Sequence, residues 1–326
     1  MEQFLIILAL VFAFINGFHD SANSIATVVF TRVMSPGKAV IWAAFFNFIA
    51  FVIFGVYIAE TIGRGIIDIS IIDNDIILGA LISAIIWDIF TWYFGLPTSS
   101  SHALIGGLVG SSIIKAGFAS LLAGGIIKTA VFIFLSPVIG LFLGLGIGLL
   151  IYKIFKNSDV LKVDNMFNKG QIVSSALYSL GHGGNDAQKT IGILAIILFS
   201  NGMRGEGLPI PYWIIVSAYA AIAIGTLFGG WRIVKTMGER LTKLRSVDGF
   251  CVETGAAITL YITSFLGIPV STTQTITGSI VGIGMLRRLS AIHWGVTEKV
   301  LLTWVLTIPC TAGMSALIYF FKIKMN

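Results

Sequence analysis

Long apolar runs separated by short polar interruptions set the pattern of this 326-residue chain. Runs over 3–16, 39–59, 76–94, 121–155, 210–230 and 300–321 predict helices, several of them at or beyond the roughly 20 residues that span a bilayer. The first run stops early, at Gly17 to Asn23, which predicts a short or interrupted helix. The run from Leu121 to Phe155 is too long for one upright span, so Pro137 predicts either a kink or a division into two segments. Its small residues, Gly140, Gly144, Gly146 and Gly148, suit close helix packing, within the chain or at a homodimer contact.

Two interruptions match. Residues 95–110 read GLPTSSSHALIGGLVG and residues 267–282 read GIPVSTTQTITGSIVG, with Gly95/Gly267, Pro97/Pro269, Ser99/Ser271, Gly106/Gly278 and Gly110/Gly282 in register. In each copy a proline ends an incoming apolar helix, and Ser or Thr stands before a new apolar run as an N-cap. The pattern predicts a re-entrant helical hairpin whose turn lies inside the apolar layer. Irregular backbone survives at that depth only where protein or a polar cavity surrounds it. Hydroxyls beside the first free amides of a helix form an anion cradle, aided by about half a positive charge from the macrodipole. The guest predicted for both turns is an oxyanion.

A second pair of motifs carries charge. GFHDSANSIATVV, residues 17–29, aligns with GHGGNDAQKTIG, residues 181–192, so that Gly17 falls on Gly183, His19 on Asn185, Asp20 on Asp186, Asn23 on Lys189 and Ser24 on Thr190. An aspartate within a span costs about 3 kcal/mol or more, which makes Asp20 and Asp186 functional candidates. Both motif pairs recur in one order, the mark of an internal duplication. The predicted fold is therefore an all-α polytopic membrane protein of two inverted repeats, residues 1–156 and 170–326, joined by a cytoplasmic linker, 157–169. Each repeat is expected to hold an Asp-bearing broken helix and a re-entrant hairpin.

Charge gives the orientation. Residues 60–75 carry Glu60, Asp68, Asp73 and Asp75 against Arg64, whereas residues 232–245 carry Arg232, Lys235, Arg240, Lys243 and Arg245 against Glu239. By the positive-inside rule these equivalent loops lie on opposite faces, which inverts the halves. Arg32 and Lys38 read as cytoplasmic, against Arg204 balanced by Glu206 in the counterpart near 200–212. Three crossings and one re-entrant hairpin per half satisfy the inversion and put both termini outside, a placement that Lys322 and Lys324 fit poorly. At 56% hydrophobic and 11% charged, with mean hydropathy +0.94, the chain is a polytopic membrane protein, and its expected place is the cell (inner) membrane. The net charge of +6 is then a topology signal and argues for no nucleic-acid partner. No basic residue precedes Arg32, so the first helix is expected to stay. Cys251 and Cys310, far apart in apolar runs, read as core residues.

Inversion gathers the four motifs near the midplane. Two aspartates and a phosphate-like dianion bring about minus four, and two helix N-termini return about plus one. Cations must accompany the anion. Oxygen donors for Na⁺-like ions are Asp20, Asn23, Asp186, Asn185, Ser24 and Thr190, with Gln188 beside them. The anion is assigned to Thr98, Ser99, Ser100, Ser101, Ser271, Thr272, Thr273 and Gln274, with Asn23 and Gln188. His19 and His182 are the residues for proton coupling, should H⁺ replace Na⁺. Lys189 is expected either as a counter-ion or snorkelling to the surface. Asp88 and Glu253, in the incoming hairpin helices, are given no ligand role.

These four motifs in this order closely resemble the inorganic phosphate transporter (PiT) family. The resemblance implies a phosphate importer using Na⁺ or H⁺, with metal-phosphate or sulfate carried by some bacterial relatives, and no resident cofactor. It implies that Asp20, Asn23, Asp186, Ser99, Ser100, Ser101, Ser271, Thr272 and Thr273 bind. The family signature often reads Gly-Ala-Asn-Asp; Asn185-Asp186 keeps it and His19-Asp20 departs from it, which bears on the coupling ion. The expected function is a secondary transporter, not an enzyme, with Na⁺, phosphate and membrane lipid as partners. A passive anion channel and an intramembrane phosphotransferase are the competing classes; the second lacks an Arg or Lys clamp and a compact metal motif.

Overall fold

The computed structural model describes residues 1–200 and 210–325, so the expectation about Arg204 and Glu206 lies outside the described residues. Twelve α-helices form the described residues' architecture: α1 (Glu2–Phe30), α2 (Pro36–Ile49), α3 (Tyr57–Gly65), α4 (Asn74–Phe94), α5 (Ser100–Ala116), α6 (Ala123–Ile154), α7 (Val160–Ser200), α8 (Tyr212–Phe228), α9 (Trp231–Lys235), α10 (Ser246–Phe265), α11 (Thr272–Arg287) and α12 (Trp294–Met325). Four of them, α1, α4, α6 and α12, are long and apolar enough to cross a membrane alone. The segments Tyr212–Phe228 and Trp231–Arg240, bent by 63°, make a fifth span if they are taken together. This is an all-α, multi-pass membrane protein.

The order of elements repeats: a long helix, a broken helix, a hairpin, then a long helix with an internal proline. Each hairpin turn is made as the small polar residues require. Gly95 (φ +67°) and Gly267 (φ +62°) take the left-handed conformation, open to residues without a Cβ at little cost. The next amides, Leu96 N and Ile268 N, return to the carbonyls of Thr91 and Thr263 at 2.9 and 2.8 Å, a Schellman closure. Helix α4 therefore ends at glycine, two residues before Pro97. Ser99 and Ser271 then cap α5 and α11, their hydroxyls accepting from the amides of His102 and Gln274. At its far end each hairpin carries a clasp. Asp73 caps α4 and pairs with Lys115 at 2.6 Å, and Asp248 pairs with Arg287.

The halves interlock through their last helices. Helix α6 lies along α11, and α12 lies along α5. A Cβ on Gly278 or Gly282 would strike the carbonyls of Pro137 or Leu141 in α6; one on Gly106 or Gly110 would strike those of Ile308 or Ala312 in α12. The prolines thus sit where the covering helices touch the hairpins. Tyr152 of α6 donates to Asp248, and Tyr319 of α12 to Asp73, so each covering helix also ties down the opposite clasp.

Several expectations change. The stretch 121–155 forms one helix around Pro137 rather than two segments. Three of its glycines are occupied inside the chain, Gly140, Gly144 and Gly148 facing Thr275, Ser279 and Ile283 of α11, while Gly146 meets nothing within 4 Å. Helix α7 begins at Val160, so most of the proposed linker 157–169 is helical and belongs to it. The Asp-bearing helices α1 and α7 are continuous through Gly17–Asn23 and Gly181–Gly192. The breaks fall one element later, between α2 and α3 and between α8 and α9. The glycines of the Asp motifs serve close packing instead of unwinding: Gly17 and Gly183 lie against the backbones of Ile222 and Asn47. At the breaks the freed amides find partners on α1 and α7. Gly230 N donates to Ser21 Oγ at 2.5 Å and Ile58 N to Gln188 Oε1 at 2.8 Å, the internal satisfaction that broken backbone needs away from water.

Candidate functional site

Helices α1 and α7 pack against one another at the centre, and their aspartates meet. Ligand atoms of Asp20, Asp186 and His182, all buried, lie within 4.8 Å of one another. Two buried carboxylates so close demand compensation, because their repulsion is weakly screened in a low-dielectric interior. Each has a histidine: His19 Nδ1 lies 2.6 Å from Asp20 Oδ1, and His182 Nε2 lies 3.2 Å from Asp186 Oδ2. Those rings are held from behind by Thr91 at 3.1 Å and by Asn47 at 3.2 Å. Asp186 alone has a full cation, the Lys189 ammonium at 2.6 Å, which does not snorkel outward and is buried with it.

The second hairpin's tip closes on this pair. Thr272 donates to Asp186 Oδ2 at 3.2 Å, and Asn23 Nδ2 donates to Thr273 Oγ1 at 2.9 Å, so α1 of the first half touches the second half's cradle. Because Ser99 and Ser271 cap their helices, the free first-turn amides are those that follow, Ser100–Ser101 and Thr272–Thr273. Asn23 Oδ1, Asn185 Oδ1, Ser24 Oγ and Thr190 Oγ1 are buried oxygens without a hydrogen-bond partner. Ser24 and Thr190 each stand one helical turn beyond an aspartate, on its face. Buried polar atoms are nearly always satisfied, so these four oxygens suit a guest that needs hard donors.

Two of the residues assigned to the anion, Thr98 and Gln188, have other partners. Thr98 shares a 2.6 Å hydrogen bond with Thr307 of α12, anchoring the hairpin to its covering helix. Gln188 bridges Ile58 N and the Gly184 carbonyl at the α2–α3 break. Gln274 borders a groove of about 580 Å³ among α6, α11 and α12, whose other walls are largely apolar, while its buried amide N and O have no hydrogen-bond partner. Sequence reasoning also passed over residues that matter. Asp88, fully buried, stands beside Ser100 within electrostatic reach of His19, Asp20 and Asp186; its signal was an acid alone in the apolar run 76–94. Asn47 holds His182 and also donates to Thr226 at 3.0 Å, but as one amide in an apolar run it carried no signal. Glu253 is kept from the site by Thr27, Gln171 and Ser174, which all donate to it.

The model of the phosphate transporter family matches residues 16–163 and 156–315. This chain belongs to that family. Within it, the chain is 56% identical over 316 residues to the "Probable low-affinity inorganic phosphate transporter" of Rhizobium meliloti (strain 1021), covering 97% of this chain and 95% of the relative. It is 42% identical to the protein of the same description in Bacillus subtilis (strain 168), again over 97% and 95%. A solved structure described as "The sodium-dependent phosphate transporter" superposes with a TM-score of 0.89 at 25% identity, covering 100% of this chain and 99% of that one. Phosphate transporter family members are carriers, and no enzyme class is implied for this chain.

Proposed function

We propose that this protein imports inorganic phosphate across the cell membrane by symport with Na⁺, through alternating access around the Asp20–Asp186 centre. The observation that carries the reading is the convergence of Asp20, Asp186 and the capped N-terminus of α11 in one buried place, with the capped N-terminus of α5 joined to it through Asp88. The two carboxylates and a phosphate dianion bring about minus four; two helix ends and Lys189 return about plus two. The remaining deficit needs mobile cations, and the unpartnered oxygens of Asn23, Ser24, Asn185 and Thr190 are of the kind Na⁺ takes. The sodium dependence of the solved neighbour supports the choice of Na⁺. In this reading Ser100, Ser101, Thr272 and Thr273 face phosphate, Ser99 and Ser271 hold the cradles, and Asp20 and Asp186 share the cations. The halves are inverted repeats, both termini lie outside, and the membrane is the inner one. Monoprotonated phosphate donates a hydrogen bond to a carboxylate and sulfate cannot, which favours phosphate where an aspartate touches the anion.

One observation favours a second reading, proton coupling: each central aspartate has a histidine within 3.2 Å. The test is uptake of radiolabelled phosphate into proteoliposomes with Na⁺ and H⁺ gradients imposed separately and sulfate as competitor. Accumulation driven by Na⁺ alone, lost by about 100-fold or more in Asp20→Asn, is expected from removal of a charge-coupled buried ligand. Accumulation driven only by H⁺ transfers the coupling to His19 and His182. Flux indifferent to both gradients makes the protein a channel.

A further inference from the structure

The two halves treat their aspartates differently. In the first, Asp20 is followed by Asn23, whose Oδ1 is unpartnered, and by Ser24, whose hydroxyl is also unpartnered. In the second, the residue aligned with Asn23 is Lys189. Its ammonium lies 2.6 Å from Asp186 Oδ1 and 2.8 Å from the carbonyl of Val270, at the hairpin turn just before the Ser271 cap. A carboxylate and a turn carbonyl are the oxygens a bound monovalent cation would take. We propose that the Lys189 ammonium is a tethered cation standing in the second half's co-ion site, so that each phosphate is carried with one mobile Na⁺ fewer than two equivalent half-sites would require.

The inference rests on the reading of Na⁺ symport given above and adds its stoichiometry. The fit of the ammonium is physical. Lys189 is among the largest fully buried side chains, and a buried cation persists only beside a matched anion. Asp186 supplies that anion, while Thr272 donates to the other carboxylate oxygen and so ties the tethered charge to the phosphate cradle. Because the charge is covalently held, it helps neutralise the anion without being released with it. The charge moved per cycle is then lower by one than with a mobile ion. The first half has no lysine at the aligned position, since Asn23 offers oxygen and no charge, and Asp20 is paired with the His19 ring instead. The mobile Na⁺ is therefore assigned to Asp20, Asn23 and Ser24.

The test compares wild type, Lys189→Asn and Lys189→Met in proteoliposomes, with Asn restoring the oxygen of the first half and Met restoring none. The ratio of labelled Na⁺ to labelled phosphate taken up is expected to rise by one in K189N, with a steeper Na⁺ dependence and a reversal potential shifted for one added charge. K189M, which frees Asp186 Oδ1 and the Val270 carbonyl but adds no side-chain oxygen, should gain less than K189N. A second readout needs no transport: thermal stabilisation by Na⁺ of purified, phosphate-free protein. There K189N should gain a Na⁺-dependent increment over wild type, and Asp20→Asn should remove the wild-type response while Asp186→Asn retains one. An unchanged flux ratio in an active K189N, or no Na⁺ increment in an inactive one, overturns the proposal even where wild-type uptake is Na⁺-driven. Na⁺ dependence absent from wild type and K189N alike, beside H⁺-driven uptake, overturns both this proposal and the Na⁺ reading. Na⁺ dependence found in K189N alone supports the tethered cation and overturns Na⁺ coupling in wild type.

Discussion

Asp186→Asn isolates the electrostatics of the centre. The substitution keeps shape and an oxygen for Thr272 to reach, but it leaves the Lys189 ammonium buried with only the Val270 carbonyl. Breaking a buried ion pair from one side costs about 3–5 kcal/mol, because the other charge is left uncompensated. Removing both charges, as in Asp186→Asn with Lys189→Met, is often near neutral, so the double variant should lie within about 1 kcal/mol of wild type. At about 2 °C per kcal/mol for a chain of this size, the single variant should melt about 6–10 °C lower and the double within about 2 °C of wild type. Tryptophan fluorescence melts of detergent-purified protein, in Na⁺- and phosphate-free buffer, measure this directly. Equal losses in the single and double variants would refute the reasoning, since they would mean that Lys189 carries no stranded charge when Asp186 is neutral.

Other substitutions test the packing. Gly110→Val drives a side chain into the Ala312 backbone at the α5–α12 contact and should lower stability by about 3 kcal/mol or more, whereas Gly146→Ala, with nothing near its Cβ, should match wild type or gain slightly in melting temperature. Asp73 combines a cap for α4 with a half-exposed ion pair to Lys115. Asp73→Ala should therefore lose about 1–2 kcal/mol and Asp73→Asn under about 1, because Asn still caps and exposed pairs contribute little. Equal losses in those two melts would assign the effect to the pair instead of the cap.

The hairpins and the pairing of halves were legible in the sequence because their determinants are local. A glycine free to take positive φ, a hydroxyl N-cap and an apolar run specify a helix–turn–helix wherever they occur, and their recurrence in GLPTSSSHALIGG and GIPVSTTQTITGS marks the duplication. The aspartates were legible because an ionised group in an apolar run has a cost that only a partner or a guest offsets. Other features depend on residues distant in sequence. Gly17 and Gly183 read as helix breakers until Ile222 and Asn47 approach them, and Gln188 reads as a ligand until the unwound Ile58 amide takes its oxygen. Thr98 fits the cradle pattern as well as Ser99 does, but only the arrival of α12 directs its hydroxyl to Thr307.

The sequence by itself determined an all-helical membrane protein with two hydroxyl-capped hairpin turns and two buried aspartates, because helix caps and spans are read from neighbouring residues. The tertiary structure decided where helices break, which polar atoms stay free and that Lys189 lies on Asp186 and Val270. Those outcomes follow from which carbonyls, amides and charges are brought within 3 Å of one another, and that is set by how α1 and α7 pack against each other and against the hairpins.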